Sequence, residues 1–545
     1  MTSAWARPAH VSVTPAGRHL ELFVDSTTGP WASRVSLTSA GYQKEFQQQA
    51  AAGRMPIRVS AAGSGSGRRF AAIFASREET DGHVFRARGP AAVASIDAAM
   101  EAFVADHNLR GAALAIVRGV QLVYARGYTY AAPGYPDVLP TTSFRQASVS
   151  KTFAAVAFWR LMQQNPNVIL TTRMQSVLKL KQPDGSAPKD SRFGDIRLQH
   201  LLESNSGLDQ GALWWGEAAA KAAGAKLPAT HAQLARYAAS FDLSAAPGST
   251  TNVVYGNFDY FMLSQAIAKL AGTGSFEQAL QTLVLGPLKL TRTRGSRSLA
   301  GAQLPDEARH HLSVHDPENG WPLYPLELGK SVKTADRPTV PAHYGSWDYE
   351  LFDGCGGLSS AVVDVARLAA MFSDRSGNPV LSAASIDSLF ATAAQATSGL
   401  SGPDAHGYHG FDWAAVDDAA NHVYRASKGG WLPGHGTVVS FATGGFGFVL
   451  AQNGNRAARV KTDWFKPVSD AATAHAWPNK DLFPAFGMPT LAPAALSRIA
   501  LTARSVAKLA PAKAENQVRD SVGREFVRAR HPAVRRLRLP PVVLR

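Results

Sequence analysis

The chain has 545 residues, a formal net charge of +15, 45% hydrophobic residues and 18% charged ones. That balance fits a well-filled globular core and excludes low-complexity and collagen-like classes, while the length exceeds what a single core usually supports. A lone cysteine, Cys355, excludes an internal disulfide and a multi-cysteine metal site, and no apolar run approaches the roughly 18–20 residues of a membrane span.

The opening segment, MTSAWARPAHVSV, has no basic start followed by an apolar stretch, so no signal peptide is visible in it. Pro8–Phe23 and Pro56–Phe74 each read as a short strand, a polar or glycine-rich turn, an arginine and a second apolar strand. They form an imperfect repeat of β-hairpins. Between them, Thr38 or Ser39 can cap a short helix that Gly53 ends, with Tyr42 and Phe46 on one face. A hairpin–helix–hairpin unit needs a neighbour to bury its apolar side. Residues 1–88 are expected to form this module, with Gly89–Ala92 as a linker.

The pattern then changes. Ile96–His107 reads as an amphipathic helix, and GAALAIVRGVQLVYARGY as two strands around a glycine turn. The apolar helix KTFAAVAFWRLMQQ follows Ser148, helices and loops run to about Asp374, and HVYRASKGGWLPGHGTVVSFATGGFGFVLAQN returns to strands. Strands at both ends with helices between predict an α+β domain over residues 93–478: an antiparallel sheet closed by both ends of the region, flanked by helices and a helical subdomain. Leu491–Arg545 carries 12 Lys/Arg against 3 Asp/Glu, with Phe526 as its only aromatic residue. It reads as a basic, flexible tail without an aromatic platform, and nucleic acid is not an expected partner.

Four S-x-x-K elements occur, at Ser148–Lys151, Ser176–Lys179, Ser186–Lys189 and Ser505–Lys508. Pro188 interrupts the third, the fourth lies in the tail, and no strand–turn entry precedes the second. Ser148 alone follows a turn-rich loop, LPTTSFRQA, and opens a long apolar helix. Positions i and i+3 share a helix face, so Lys151 can reach the Ser148 hydroxyl. The helix N-terminus offers free N–H groups and positive potential to a developing anion. The competing reading of Ser148 is an ordinary helix cap. Two further elements point to chemistry. Tyr255-Gly256-Asn257 is the only Y-x-N among the 13 tyrosines, and Lys428-Gly429-Gly430 is the only K-x-G. S-x-x-K, a central polar triplet and a K-x-G strand, in that order, form the set of serine β-lactamases and penicillin-binding proteins.

These boxes resemble those of the serine β-lactamase and penicillin-binding-protein superfamily: class C β-lactamases, family VIII esterases and DD-peptidases. LQHLLESNSGL is similar to that superfamily's LLxHTSGL, and GCGGLSSAVVDVARLAAMF to its GGL-x-S-T stretch and the helix after it. The similarity covers about residues 96–475. The segment before it resembles the tandem-repeat modules of polyglycine-hydrolase-like proteins, on W…R…LT…GYQ…F…G…P…VS…RFAAIF.

The resemblance implies roles. Ser148 is the nucleophile that becomes acylated, and Lys151 takes or relays its proton. Tyr255, a partial phenolate between Lys151 and Lys428, is base and then acid to the leaving group. Asn257 orients the acyl side. The N–H groups of Ser148 and Trp431 form the oxyanion hole, beside Gly429 and Gly430, and Lys428 attracts a substrate carboxylate. Two departures argue against efficient β-lactam turnover: Gly429 stands where a threonine hydroxyl is usual, and Trp431 puts a bulky ring where a small residue is usual. The expected activity is a serine hydrolase acting on a small ester, amide or peptide, with no cofactor. The alternative is an inactive binding or scaffold protein on the same fold. The resemblance favours a place outside the cytoplasm.

Other residues have plainer readings. Cys355 reads as structural, His435 as a turn or strand residue, and Trp214–Trp215 as packing rather than a platform at a cleft mouth. The loop at Ser204–Asn205 departs from the superfamily's His-Thr and reads as structural. The 16 histidines show no HExxH spacing, so no metal is expected.

Overall fold

The computed structural model describes residues 6–13, 19–25, 31–75 and 83–491, apart from 53, 108, 251–253, 312–327, 342, 374, 376, 398–407, 433 and 455–462. The basic tail expected over 491–545 lies outside these residues beyond Leu491.

Both N-terminal hairpins are present. Ala6–Val13 pairs with His19–Asp25, and Met55–Ala62 with Arg69–Ala75, all antiparallel. The helix between them spans Ser39–Ala51. Thr38 caps it: the Gly41 N–H donates to Thr38 Oγ1 at 3.1 Å, an interaction worth about 1 kcal/mol. Tyr42 stacks on Phe70 at 5.1 Å between ring centroids, which fastens the helix to the second hairpin. The sequence reading missed a strand. Trp31–Leu37 pairs with Arg69–Ala75, making a three-stranded sheet with that strand in the centre. Its alternation of small and polar residues gives no apolar run to see.

A seven-stranded antiparallel sheet forms the larger body. Its order is Trp413–Asp418, Val423–Leu432, His435–Ala442, Phe446–Gln452, Gly111–Arg118, Gln121–Ala131, Val84–Arg88. The closure predicted from strands at both ends is present, with Val449 opposite Ala115. The edge strand Val84–Arg88 comes before the stretch read as a linker, yet it pairs with Gln121–Ala131. The large sheet therefore begins ahead of Gly89–Ala92. This strand is weakly apolar because two arginines lie on it; both reach Asp137, Arg86 at 2.6 Å and Arg88 at 2.8 Å. Charged edges of this kind discourage pairing with other chains.

Helices cover both faces. Ala94–Asp106 and Phe465–Ala474 pack on one through Ile96, Met100, Phe103, Phe465 and Val468. Val362–Met371 lies against strands of the sheet from the other side, and Ser150–Gln164 and Asn257–Leu270 pack on each other there. Eleven of the 15 residues of Ser150–Gln164 are buried, so this helix is apolar nearly all round, as a core helix must be. Each of its buried Phe and Leu side chains contributes about 1.5–3 kcal/mol. Among the described residues no helix is long and apolar enough to cross a membrane.

Candidate active site

Ser148 lies in a 3-10 turn, Ala147–Val149, that runs directly into the helix Ser150–Gln164. Its hydroxyl is therefore just ahead of the helix, and Lys151 is in the first α-helical turn. No side chain caps this helix, so the plain reading of Ser148 as a cap is not what the geometry contains. Ala147 has a φ of +47°. Left-handed backbone at a residue with a Cβ costs on the order of 1 kcal/mol or more and is held only by firm surroundings.

Lys151 is fully buried. Its Nζ donates to Ser148 Oγ at 3.2 Å, Asn257 Oδ1 at 2.8 Å and the Cys355 carbonyl at 2.7 Å. Asn257 opens the helix Asn257–Leu270, and Tyr255 precedes it by two residues. Lys151 Nζ and Lys428 Nζ lie 4.6 Å and 5.0 Å from the Tyr255 ring centroid. Lys428 Nζ donates to Tyr255 Oη at 3.2 Å, and Ser148 and Lys151 also reach the phenol oxygen. Three segments far apart in sequence thus converge on one buried cluster.

The electrostatics differ from expectation at two residues. Burial pushes the Tyr255 phenol up to about 12; the Lys151 charge opposes the rise and the Asp412 charge adds to it. A partial phenolate eased by two lysines is therefore not what this environment makes, because desolvation outweighs the cationic neighbours. Lys428, expected to attract a substrate carboxylate, is ion-paired with Asp412, and both side chains are shielded from solvent. Burial lowers the Lys428 ammonium from its usual value, and Asp412 opposes that.

None of the three sequence motifs includes Asp412. It immediately precedes the strand Trp413–Asp418, and its N–H donates to the Ser427 carbonyl at 2.9 Å. Trp413 pairs with Ser427, so the register brings Asp412 beside Lys428 and Gly429. Pairing the strand upstream of the K-x-G box with its neighbour, residue by residue, was the signal available.

Gly430 has no room for a side chain. A Cβ there would meet the Gln146 carbonyl oxygen at 2.4 Å and Ser148 N at 2.8 Å. The strand end carrying Trp431 N–H is in this way pressed against the turn carrying Ser148 N–H. The Trp431 indole lies over Gly436, whose added Cβ would stand 2.2 Å from Cζ3. A narrow cleft opens on Ser148, lined by Leu213, Trp214, Asn257, Phe352, Trp431 and Leu432 among others. Its volume is about 20 Å³, room for about one water molecule.

The plainer readings divide. Trp214 lines the cleft and packs edge-on against Trp347 at 4.4 Å, whereas Trp215 packs on Phe241 at 4.6 Å. His435 is buried against His310. Burial pushes the Cys355 thiol up to about 12, and its contribution to the cluster is its carbonyl. Residues that follow Ser204–Asn205 hold the helix that Asn257 opens: Ser206 Oγ donates to Asp259 Oδ1 at 2.5 Å, and Gln210 Oε1 accepts the Phe258 N–H at 2.8 Å.

The beta-lactamase family model matches residues 96–472, and the chain belongs to that family. Residues 28–77 match a polyglycine hydrolase-like structural repeat, which spans Trp31–Leu37, the helix and the second hairpin. Solved structures with a similar fold include a D-stereospecific amidohydrolase from Streptomyces sp., at 18% identity and a TM-score of 0.48, covering 71% of this chain and 100% of that one. The D-amino acid amidase from Ochrobactrum anthropi SV3, complexed with D-phenylalanine, has 16% identity and a TM-score of 0.49, covering 70% and 100%. An octameric penicillin-binding protein homologue from Pyrococcus abyssi has 18% identity and a TM-score of 0.47, covering 72% and 77%.

Proposed function

We propose that the protein is a serine hydrolase that works through an acyl-enzyme on a carboxylic ester, amide or peptide. The observation that carries this reading is the buried contact of Lys151 Nζ with Ser148 Oγ at 3.2 Å. Family membership over residues 96–472 supports it.

Lys151 is the residue placed to act as the base: its Nζ contacts Ser148 Oγ, and Asn257 Oδ1 and the Cys355 carbonyl hold it there. Ser148 Oγ attacks the substrate carbonyl carbon, and its proton passes to Lys151 Nζ. The carbonyl oxygen takes up negative charge against the N–H groups of Ser148 and Trp431, worth about 3–4 kcal/mol of barrier per donor. Tyr255, a neutral phenol, gives its proton to the leaving group and regains one from Lys151. Water then attacks the acyl carbon along the reverse proton path and frees Ser148.

The test is intact mass after incubation with a fluorophosphonate probe. One adduct on the wild type and none on Ser148→Ala is the expected result. No adduct on folded wild-type protein would falsify the reading and leave a binding or scaffold protein on this fold.

A further inference from the structure

We propose that Asp412 is a built-in counterion that satisfies Lys428 behind the cleft, so that the substrate carries no charge on its leaving-group side. The proposal rests on the acyl-enzyme reading above.

Lys428 marks that side, because it donates to Tyr255 Oη, the group assigned to protonate the leaving atom. An incoming carboxylate would need the Lys428 ammonium and a neighbouring donor. Asp412 holds both: Oδ1 is paired with Lys428 Nζ, and Oδ2 accepts the Gly429 N–H at 2.7 Å. Residue 429 brings no hydroxyl of its own. A Cβ there would stand 3.6 Å from Asp412 Oδ2, an ordinary contact, so the carboxylate and not crowding defines this corner.

Asp412 is also held in place. Gly410, two residues before it and at φ +84°, is pressed against the helix Ser150–Gln164; its added Cβ would meet the Lys151 carbonyl oxygen at 2.8 Å. Thr152 Oγ1 donates to the Gly410 carbonyl at 2.6 Å, and the Gly410 N–H donates to Tyr260 Oη at 2.6 Å. Among the described residues lining the cleft mouth, Leu213, Trp214, Phe352, Trp431 and Leu432 are apolar and none is charged. A substrate carboxylate entering here would lose water, meet no cation among those residues, and find Lys428 already paired with Asp412.

The test uses phenyl acetate and 3-carboxyphenyl acetate. They leave the same acetyl group on Ser148 and differ by one carboxylate on the leaving group. Wild type is expected to favour the neutral ester at least tenfold in kcat/KM, and equal rates or an anionic preference would overturn the proposal. Asp412→Asn frees Lys428 and is expected to move the ratio at least tenfold toward the anionic ester. Asp412→Asn combined with Lys428→Gln is expected to lose that gain. An unchanged ratio in folded Asp412→Asn also overturns it. Dissociation constants for both esters, measured by calorimetry on Ser148→Ala with and without Asp412→Asn, are expected to show the same tenfold shift without any turnover. Failure of probe labelling on wild type therefore sinks the hydrolase reading, whereas failure of the binding shift sinks only the role of Asp412.

Discussion

Gly430 is packed backbone to backbone against Ser148: a methyl group at 430 would stand 2.8 Å from Ser148 N. One strand end and one helix entry are thereby pressed together beside the Ser148 and Trp431 N–H groups that we propose hold the oxyanion. Gly430→Ala forces the strand to retreat. Losing one oxyanion donor costs about 10²–10³ in kcat, and overpacking costs about 1–3 kcal/mol of stability. Ester hydrolysis, probe-labelling rate and a thermal melt on the same sample measure both. An unimpaired kcat in Gly430→Ala would mean that the oxyanion is held elsewhere.

Tyr255 keeps its proton at neutral pH, since burial holds the phenol at about 12. Its assigned task is therefore to donate, and the demand for a donor depends on the leaving group. Tyr255→Phe should reduce amide or alkyl-ester hydrolysis by about 10²–10⁴, and 4-nitrophenyl esters far less, because nitrophenolate leaves without a proton. Equal losses on both substrate types would argue that the phenol acts on Ser148 instead.

Asp259 lies in the first turn of the helix that Asn257 opens, and burial raises its carboxyl to about 7. The folded state thus keeps a proton that the unfolded chain releases at about pH 4. Stability from this group is fully present below about pH 4 and is lost as pH rises through about 7, by up to about 4 kcal/mol. Asp259→Asn cannot ionise, so its stability relative to wild type should climb between about pH 4 and 7. Urea unfolding across that range gives the difference directly, and parallel curves would mean an ordinary carboxyl.

Trp431 limits the cleft, whose volume is about 20 Å³. Among the described residues its buried Nε1 has no hydrogen-bond partner, and its ring bounds the cleft beside Leu432. Trp431→Ala should shift the kcat/KM ratio of 4-nitrophenyl butanoate to acetate toward the longer chain by about tenfold, the scale of one or two methylenes in an apolar pocket. Trp431→Phe should leave that ratio nearly unchanged. A ratio insensitive to both would place the acyl chain away from the indole.

Much of the fold was legible because its signals are local. The Ser39–Ala51 helix has its cap written at Thr38, and the two hairpins have their turns written in polar and glycine residues. The closure of the large sheet followed from strands at both ends of one region. Trp31–Leu37 and Val84–Arg88 were missed for a common reason. One is largely small and polar, the other has two arginines in five residues, and each becomes a strand through its partner rather than through its own apolar pattern.

The sequence by itself determined the pairing of Ser148 with Lys151, since i and i+3 on a helix entry are neighbours by backbone geometry alone, and it singled out Tyr255, Asn257 and Lys428 by residue type. The tertiary structure alone decided which groups these side chains touch. Lys428 meets Tyr255 across 173 residues of sequence and Asp412 across 16. Burial, strand register and the resulting counterion have no local signature, because desolvation belongs to the packed surroundings and not to the residue.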